Sequence, residues 1–453
     1  MNKAEQQYID LYRQYSGIIK NGSSSVMNAP RDAAFETFSR KGFPTRKVEE
    51  YKYTDIPAIF EPDYGLNINR VEIPVNPYEV FRCDVPNLGT SLHFVVNDSF
   101  YTAAEGAGSL PEGVIFGSLK KVSEEYPAFV EQYYSRLAPE DDALVAFNTM
   151  MAQDGVILYV PDGCVVDKTI QIVNILRSDV DLMANRRMLI IMGANSKADI
   201  LVCDHASDRN TKFLSTQVTE VYVGEGATLN YYEFEETHLG TSRVAGLWID
   251  QAADSHVVAD NITLHNGITR NTTRVYLSGS GASADVSGLA IADSNEHVDN
   301  NTLIEHRVSD CRSDELFKYV LDDHAVGAFA GLILVREGAQ RTVSQETNRN
   351  LLATTDARMY TQPMLEIYAD DVKCSHGSTV GQLDENALFY MRQRGIPLRE
   401  ARLLLMFAFV SDVVDKIALE PLRDRLHVLV EKRFRGELGR CSHGCASCKG
   451  KKQ

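Results

Sequence analysis

The segment MLIIMGANSKADILV occupies residues 188–202 and gives the clearest indication of the fold. Two apolar runs, Met188–Met192 and Ala198–Val202, flank the polar and glycine-containing sequence Gly193–Ser196. Runs of this length, separated by glycine and asparagine, are typical of β-strands joined by a tight corner. The segment therefore predicts a strand, a corner and a second strand.

The same pattern continues on both sides of this segment. Corner sequences recur at 224–227, 278–282 and 338–339, and their irregular spacing shows no strict sequence repeat. Many short strands joined by Gly-Ala corners indicate a sheet wound into a β-helix, and a β-sandwich is the alternative. The further strand-like runs are 157–160, 170–175, 218–223 and 229–234.

The distribution of proline supports a long hydrogen-bonded β-region. The chain has 14 prolines, and none lies between residues 162 and 362. Proline lacks the N–H group that a sheet ladder needs, although it is also excluded from helices. Because no convincing helical pattern of 12 residues or more is found between 155 and 345, the β interpretation is favoured.

Helical patterns lie on both sides of this region. The spacing of apolar residues predicts helices over 4–20 and 31–40, and further helices from 383, from Pro397 and from Pro421. We therefore expect an N-terminal helical domain at 1–135, a β-helix core at 136–383, a C-terminal helical domain at 384–437, and a flexible cysteine-rich tail at 438–453.

The composition excludes several classes of protein. The formal net charge of −16 argues against a nucleic-acid-binding surface, and 8 cysteines in 453 residues are too few for a disulfide-dense secreted protein. The longest apolar run, 403–410, is far shorter than the roughly 20 residues that cross a bilayer. We expect a cytoplasmic protein that binds neither nucleic acid nor membranes.

Enzymatic motifs are mostly absent from the sequence. No Walker A phosphate loop is present, which predicts no ATP site in this chain. Glu233, Glu235 and Glu236 could supply acid–base chemistry, as in β-helical enzymes that act on polysaccharides, but a solvated strand end is the simpler interpretation.

Two groups of residues could bind metal. Cys374 and His376 are two residues apart, so a strand would place both on one face, where a thiolate and an imidazole suit a soft metal or an iron–sulfur cluster. The alternatives are a buried cysteine beside a hydrogen-bonded histidine, and a Cys–His nucleophile. The second group is the tail set, for which unligated cysteines are the alternative. Its members are Cys441, His443, Cys445 and Cys448.

A family resemblance adds to these predictions. The motif QETNRNLL at 345–352 is followed by PMLEIYADDVKCSHG at 363–377 and TVGQLD at 379–384. Together with the motif PTRK at 44–47 and EEYKYT at 49–54, this pattern resembles the SufD family of scaffold subunits in the SUF system for iron–sulfur cluster assembly. Tyr51 stands where that family more usually has tryptophan, and the tail departs from the pattern.

The resemblance implies a right-handed parallel β-helix between two helical domains, in a protein with no enzymatic activity of its own. It also implies a complex with a SufB paralogue and a SufC ATPase, with a nascent cluster or iron held transiently and shared with SufB. His376 then becomes a candidate ligand at the SufB interface, with Cys374 beside it. The helix after Pro397 becomes part of the surface that docks SufC, through Leu398, Leu404, Leu405, Phe407 and Phe409.

Three alternatives remain open from the sequence. The chain could be a SufB-like paralogue that carries the cluster itself, or a stand-alone β-helical enzyme. It could also form a homodimer when isolated. Four cysteines outside the two candidate groups are expected to be structural thiols, namely Cys83, Cys164, Cys203 and Cys311.

Overall fold

The computed structural model describes residues 3–71, 76–77, 89–101, 110–206 and 210–438, in two compact units. The first unit comprises residues 1–82 and 89–380, and the second comprises 83–88 and 381–453. The predicted domain boundaries at 135, 383 and 437 remain predictions. None of the helices in the described ranges is both long enough and apolar enough to cross a membrane. Cys83 and the tail set lie outside the described residues.

The helices of the first unit begin close to the predicted positions. The helix expected over 4–20 extends by one residue at each end. The helix expected over 31–40 extends by one residue at its C-terminal end only. A short 3-10 helix at Glu49–Tyr51 lies in the motif of residues 49–54. The α-helices are α1 (Lys3–Asn21), α2 (Ser25–Asn28), α3 (Arg31–Lys41), α4 (Ile56–Phe60), α5 (Leu119–Glu125), α6 (Pro127–Val130) and α7 (Ala143–Met151).

Strands form the larger part of the first unit. Most are nine to eleven residues long, which is longer than the apolar runs alone predict. The strands are β1 (Gly65–Leu66), β2 (Ser91–Val96), β3 (Ser99–Tyr101), β4 (Ile115–Ser118), β5 (Val156–Val160), β6 (Ile170–Leu176), β7 (Leu182–Met192), β8 (Lys197–Ala206), β9 (Phe213–Val223), β10 (Thr228–Glu236), β11 (Thr241–Gln251), β12 (His256–His265), β13 (Ile268–Leu277), β14 (Ser283–Ala292), β15 (His297–His306), β16 (Arg312–Leu321), β17 (Val326–Val335), β18 (Thr342–Leu352), β19 (Arg358–Ile367) and β20 (Val372–Gly381).

The strands wind into a parallel β-solenoid, which confirms the predicted fold class. Odd-numbered strands from β5 to β19 form one sheet, and even-numbered strands from β6 to β20 form the other. Successive strands therefore alternate between the sheets, and each strand pairs with the strand two positions later in the chain. Adjacent turns stay in register, as in the pairing of Leu303 with Leu332 and of Leu289 with Lys318.

The predicted corners have a common backbone geometry. Asn195, Gly226, Asp254 and Gly281 have φ angles of 55°, 66°, 53° and 79° at equivalent positions in successive turns. These residue types adopt a left-handed conformation most readily. The N–H of Asn195 bonds the carbonyl of Glu225, and the N–H of Gly226 bonds the carbonyl of Ala253. The corners thus continue the hydrogen-bonded ladder around each turn.

The interior of the solenoid is mainly a single apolar core. Val and Ile dominate the first turns, and Phe317, Phe329 and Tyr319 fill the later ones. The N-terminal helices cover part of the outer surface, where Tyr8, Phe38 and Phe147 pack near Leu214 of β9. Strands under these helices are buried on both faces. Their side chains on both faces are therefore apolar or paired with other side chains of the protein.

The second unit contains three helices among its described residues, α8 (Glu385–Gln393), α9 (Leu398–Val414) and α10 (Glu420–Phe434). Helix α9 follows Pro397, and Pro421 lies in the first turn of α10, as the sequence predicts. The buried residues Met406 and Val410 of α9, and Leu426 and Val430 of α10, form the core of this unit.

Candidate functional site

The last turn of the solenoid ends in two edge strands. In the described chain, β19 has a strand neighbour only in β17, and β20 has one only in β18. Exposed apolar side chains lie along this turn, with Tyr368 60% and Val380 46% exposed. Natural proteins usually protect edges of this length with charges, bulges or covering segments. The edge strands β19 and β20 carry Arg358, Pro363, Glu366 and Lys373 beside these apolar residues, and their unpaired backbone groups could pair with another strand.

Cys374 lies on β20 and contacts the interior of this last turn. Its side chain is half-buried and packs against the apolar core together with Val372. Burial raises the pKa of the Cys374 thiol, and a backbone hydrogen bond from Ser344 only partly opposes this. The thiol is therefore protonated at neutral pH, and it would ligate a metal only with loss of its proton.

His376 lies on the same face of β20 as Cys374. Side chains alternate along a strand, so Cys374, His376 and Ser378 share one face. On this face the Ser378 hydroxyl lies 2.7 Å from the Thr361 hydroxyl of β19. His376 is exposed. β19 ends at Ile367, and a corner at 368–371 places Cys374 and His376 in the opposite sheet, on β20.

The pair does not form a complete metal site. Across the described ranges, no group of three or more His, Cys, Asp or Glu side chains is arranged to hold a metal ion. Structural and catalytic metal sites use at least three protein ligands as a rule. Among the described residues, Cys374 and His376 therefore supply at most part of a ligand set.

The interior beside this pair is polar, which the sequence did not indicate. Asn348 of β18 accepts hydrogen bonds from Thr361 at 2.8 Å and from Asn350 at 2.5 Å. Asn350 also donates to the carbonyl of Thr379 on β20 at 2.9 Å. The last turns thus add to the apolar core a hydrogen-bonded amide and hydroxyl network that extends to the strand of His376.

The N-terminal motif packs near the same turn. Tyr53 stacks on Tyr360 of β19 with ring centroids 4.4 Å apart, and Thr54 hydrogen-bonds His297 at 2.9 Å. Arg270 lies over the ring of Tyr51 at 4.9 Å. The side chains of this motif therefore pack on the outer face of the solenoid and have a structural role there.

Two of the three candidate acid–base residues, Glu233 and Glu235, have another role, while Glu236 is half-buried at the end of β10. Glu233 and Glu235 are buried in the solenoid and are not at a solvated strand end, so that interpretation is wrong for them. Arg243 donates to Glu233 at 2.8 Å, and Thr269 donates to Glu235 at 2.7 Å. Burial raises the pKa of Glu235 to about 7. Enclosed in this way, the two carboxyl groups have no access to a polymer.

The predicted docking residues lie on α9, and we call Leu398, Leu404, Leu405, Phe407 and Phe409 the helical patch. Leu398 and Leu404 are 46% and 44% exposed, whereas the other three are partly buried. The sequence missed two more exposed residues of the same unit, Phe389 at 64% and Tyr390 at 60% on α8. Large exposed apolar side chains in one small unit indicate a protein-binding surface.

The remaining described cysteines behave as predicted for structural thiols. None of Cys164, Cys203, Cys311 and Cys374 forms a disulfide bond, and Cys203 and Cys311 are buried. Burial raises the pKa of the Cys311 thiol.

Comparison with known proteins identifies relatives along nearly the whole chain. Residues 2–172 match the family model "SufBD protein N-terminal region", and residues 175–409 match "SUF system FeS cluster assembly, SufBD core domain". An iron–sulfur cluster assembly SufBD family protein of Synechocystis is 24% identical over 92% of this chain and 93% of its own length.

Two further relatives carry a more specific name. The iron–sulfur cluster assembly protein SufD of Escherichia coli is 36% identical over 41% of this chain and 44% of its own length. The protein of the same name from Bacillus subtilis is 26% identical over 72% of this chain and 75% of its own length. These matches support a SufD-like identity.

Proposed function

The chain belongs to the SufBD family of the SUF system for iron–sulfur cluster assembly, and from this premise we propose that it is a non-catalytic scaffold subunit. In this proposal β19 and β20 pair with a SufB-like paralogue, and the helical patch docks a SufC-like ATPase. The nascent cluster, or the iron for it, is held transiently at the shared interface beside His376 and Cys374.

The observation that carries the proposal is the incomplete ligand pair on an edge strand. His376 and Cys374 lie on the strand that ends the even-numbered sheet, and no third ligand joins them in the described structure. A partner strand beside β20 would cover the exposed apolar side chains and would bring its own side chains to within about 5 Å of this pair. Pairing of edges and completion of the ligand set would then happen together.

The helical patch supports the second interaction. The chain has no Walker A motif, so ATP-driven steps require a separate ATPase. Leu404 is exposed on α9, while its neighbours Leu403 and Met406 form the core of the unit. Burying one leucine of this kind in an interface contributes about 1.5–3 kcal/mol. An ATPase that covers the patch would thus gain affinity without any change in the core.

The first experiment tests the interface site. The full chain is co-expressed with a SufB-like paralogue and a SufC-like ATPase, and iron and acid-labile sulfide are measured in the anaerobically purified complex. His376→Ala is expected to leave the complex intact and to lower its cluster content by at least about tenfold. Lys373→Ala, on the opposite face of the same strand, is the matched control and should keep full content.

Two results would contradict the interface proposal. One is the absence of any complex with the SufB-like paralogue, including the case in which the chain forms only a homodimer. The other is an unchanged cluster content in His376→Ala. Turnover of a polysaccharide by the isolated chain would instead support the enzyme alternative.

The second experiment tests docking of the ATPase. Leu404→Glu places a charge in the helical patch and should weaken binding of the ATPase by at least about tenfold. Gln393→Glu adds the same charge at an exposed polar position of α8 and should leave binding unchanged. Equal effects of the two variants would mean that the patch is not the docking surface.

A further inference from the structure

Two glutamates stack on each other inside the solenoid, in the turns next to the candidate site. Glu315 of β16 and Glu346 of β18 are directly paired in the sheet register. Both side chains are fully buried, at 0% exposure. Neighbouring strands lie about 4.8 Å apart, so the two carboxyl groups are close neighbours on the interior face.

Neither group has a cationic partner among the described residues. All four carboxyl oxygens of Glu315 and Glu346 are buried, and the Thr302 hydroxyl is the one donor that interacts favourably with Glu315. Other buried carboxylates of the solenoid are satisfied: Glu220 bonds Arg187 at 2.8 Å, and Glu233 bonds Arg243 at 2.8 Å. Because an unpaired buried charge is strongly unfavourable, the charge of Glu315 and Glu346 must be neutralised, either by protons or by a bound cation.

The opposite wall of the solenoid is shaped to leave space there. Thr302 of β15 pairs in register with Gly331 of β17. A Cβ atom on Gly331 would lie only 2.2 Å from Oε1 of Glu346, so glycine is needed for this carboxyl group to occupy its position. Thr302 is buried, and its hydroxyl interacts with Glu315 through a hydrogen bond that lowers the pKa of this carboxyl group, against the larger effect of burial.

Protons neutralise part of this charge in the free chain. Burial, more than any other cause, raises the pKa of Glu315 to about 7. Burial and the charge of Glu315 together raise the pKa of Glu346 to about 9. Near neutral pH the pair therefore holds at least one proton, which a bound cation would displace.

We propose that Glu315 and Glu346 form an internal binding site for a hard divalent cation, with the Thr302 hydroxyl as a further oxygen ligand. Two carboxylates with four oxygens suit manganese- or iron(II)-type ions, which accept oxygen ligands at about 2.1 Å and retain water molecules in the remaining positions. Only β20 lies between β18 and the end of its sheet, so the site is one strand away from that of Cys374 and His376. The inference does not depend on the proposed partners, because the ligands belong to this chain alone.

The test uses Mn²⁺ alone and the full chain, stripped of metal with a chelator. Free Mn²⁺ is measured by electron paramagnetic resonance during titration, and the melting temperature is recorded with and without the ion. The wild type is expected to bind one more Mn²⁺ than the double variant Glu315→Gln/Glu346→Gln. Each single variant should weaken this binding by at least about tenfold. Glu366→Gln, which changes an exposed glutamate of β19, is the matched control.

The design separates loss of the site from loss of the fold. Glutamine keeps the shape of glutamate and removes the buried charge, so the double variant should melt no lower than the metal-free wild type. Mn²⁺ should raise the melting temperature of the wild type and of Glu366→Gln, but not that of the double variant. Equal Mn²⁺ binding by the wild type and the double variant would overturn the proposal and would leave a proton-sharing carboxyl pair.

Discussion

Replacement of Glu220 by glutamine should release the segment around residue 137 from the solenoid. Glu220 lies on β9 and is fully buried. Its two oxygens accept hydrogen bonds from the backbone N–H groups of Ser135 at 2.9 Å, Leu137 at 2.8 Å and Ala138 at 3.0 Å, and from Arg187 at 2.8 Å. One carboxylate therefore holds four donors.

The size of the effect follows from the number of acceptors. A glutamine amide has one oxygen, so it can keep two of the four donors, and its NH₂ group then faces the other two. Each donor left without a partner costs about 1–3 kcal/mol, and a buried guanidinium without its counter-ion is at the upper end. We expect Glu220→Gln to lower the free energy of unfolding by about 4 kcal/mol, a large part of the roughly 5–15 kcal/mol of a typical domain.

The chain contains its own probe for this change. Trp248 is the only tryptophan, and it packs in a buried cluster with Ala138, Val145 and Val218. Its fluorescence should shift to longer wavelength when the segment at 135–138 detaches. Urea unfolding is followed by this signal and by far-ultraviolet circular dichroism, and the two midpoints are compared between wild type and variant.

A matched control and a double variant complete the test. Glu225→Gln changes an exposed residue of the corner after β9 and should alter stability by less than about 0.5 kcal/mol. Arg187→Met combined with Glu220→Gln should cost less than the sum of the two single changes, because the pair is coupled. A loss below about 1 kcal/mol in Glu220→Gln, with an unshifted Trp248 emission, would refute this reasoning.

Three further predictions concern stability. His376→Ala should leave the urea midpoint unchanged within about 0.5 kcal/mol, since His376 is exposed; a larger loss would assign this residue a structural role. Burial lowers the pKa of His306 to about 4, so the neutral ring is favoured in the folded state; stability should be complete above pH 6.5 and should fall by roughly 3 kcal/mol as the pH drops to 4. Urea titrations across this range should show a smaller loss in His306→Gln, and equal losses would exclude His306 as the cause. Gly288→Ala would place a Cβ 2.2 Å from the ring of Phe317 and should cost about 1–3 kcal/mol by urea unfolding, whereas Gly117→Ala, with no atom within 4 Å, should be tolerated.

The sequence predicts the fold class and most helix positions correctly because these depend on local chemistry. Proline is absent where a ladder needs every N–H, and glycine, asparagine or aspartate occurs where a corner needs positive φ. The C-terminal helices start at prolines for an equally local reason. Each of these signals acts within a few residues.

Strand length and the interior polar groups depend on contacts that one sequence does not display. Arg186 and Arg187 interrupt the apolar pattern before Met188, yet both lie inside strand β7. Arg186 pairs with Asp204 and Arg187 with Glu220, 18 and 33 residues away. In the sequence alone, charged residues that form ion pairs between strands resemble the polar residues found at strand ends. The same reason accounts for the misplacement of Glu233 and Glu235.

The candidate site is only partly predictable for a related reason. The spacing of Cys374 and His376 correctly places them on one face, because strand alternation is local. Their position at an edge depends on where the last turn ends, and their polar surroundings depend on Asn348 in the preceding turn. Neither the edge nor these surroundings can be derived from the motif itself.

The two ends of the solenoid differ in a way that bears on the site. At the first turns β3 pairs antiparallel with β2, β4 pairs antiparallel with β5, and Leu119 and Val122 of α5 pack against Ile157 and Leu189. This end is closed by segments of the same chain. At the last turn, β19 and β20 each have one strand neighbour in the described chain, and a polar network around Asn348 lies beside the apolar core. Edge strands with unpaired backbone groups are an aggregation hazard unless another segment or a partner pairs with them. Pairing with a SufB-like partner, as proposed above, would remove this hazard at β19 and β20.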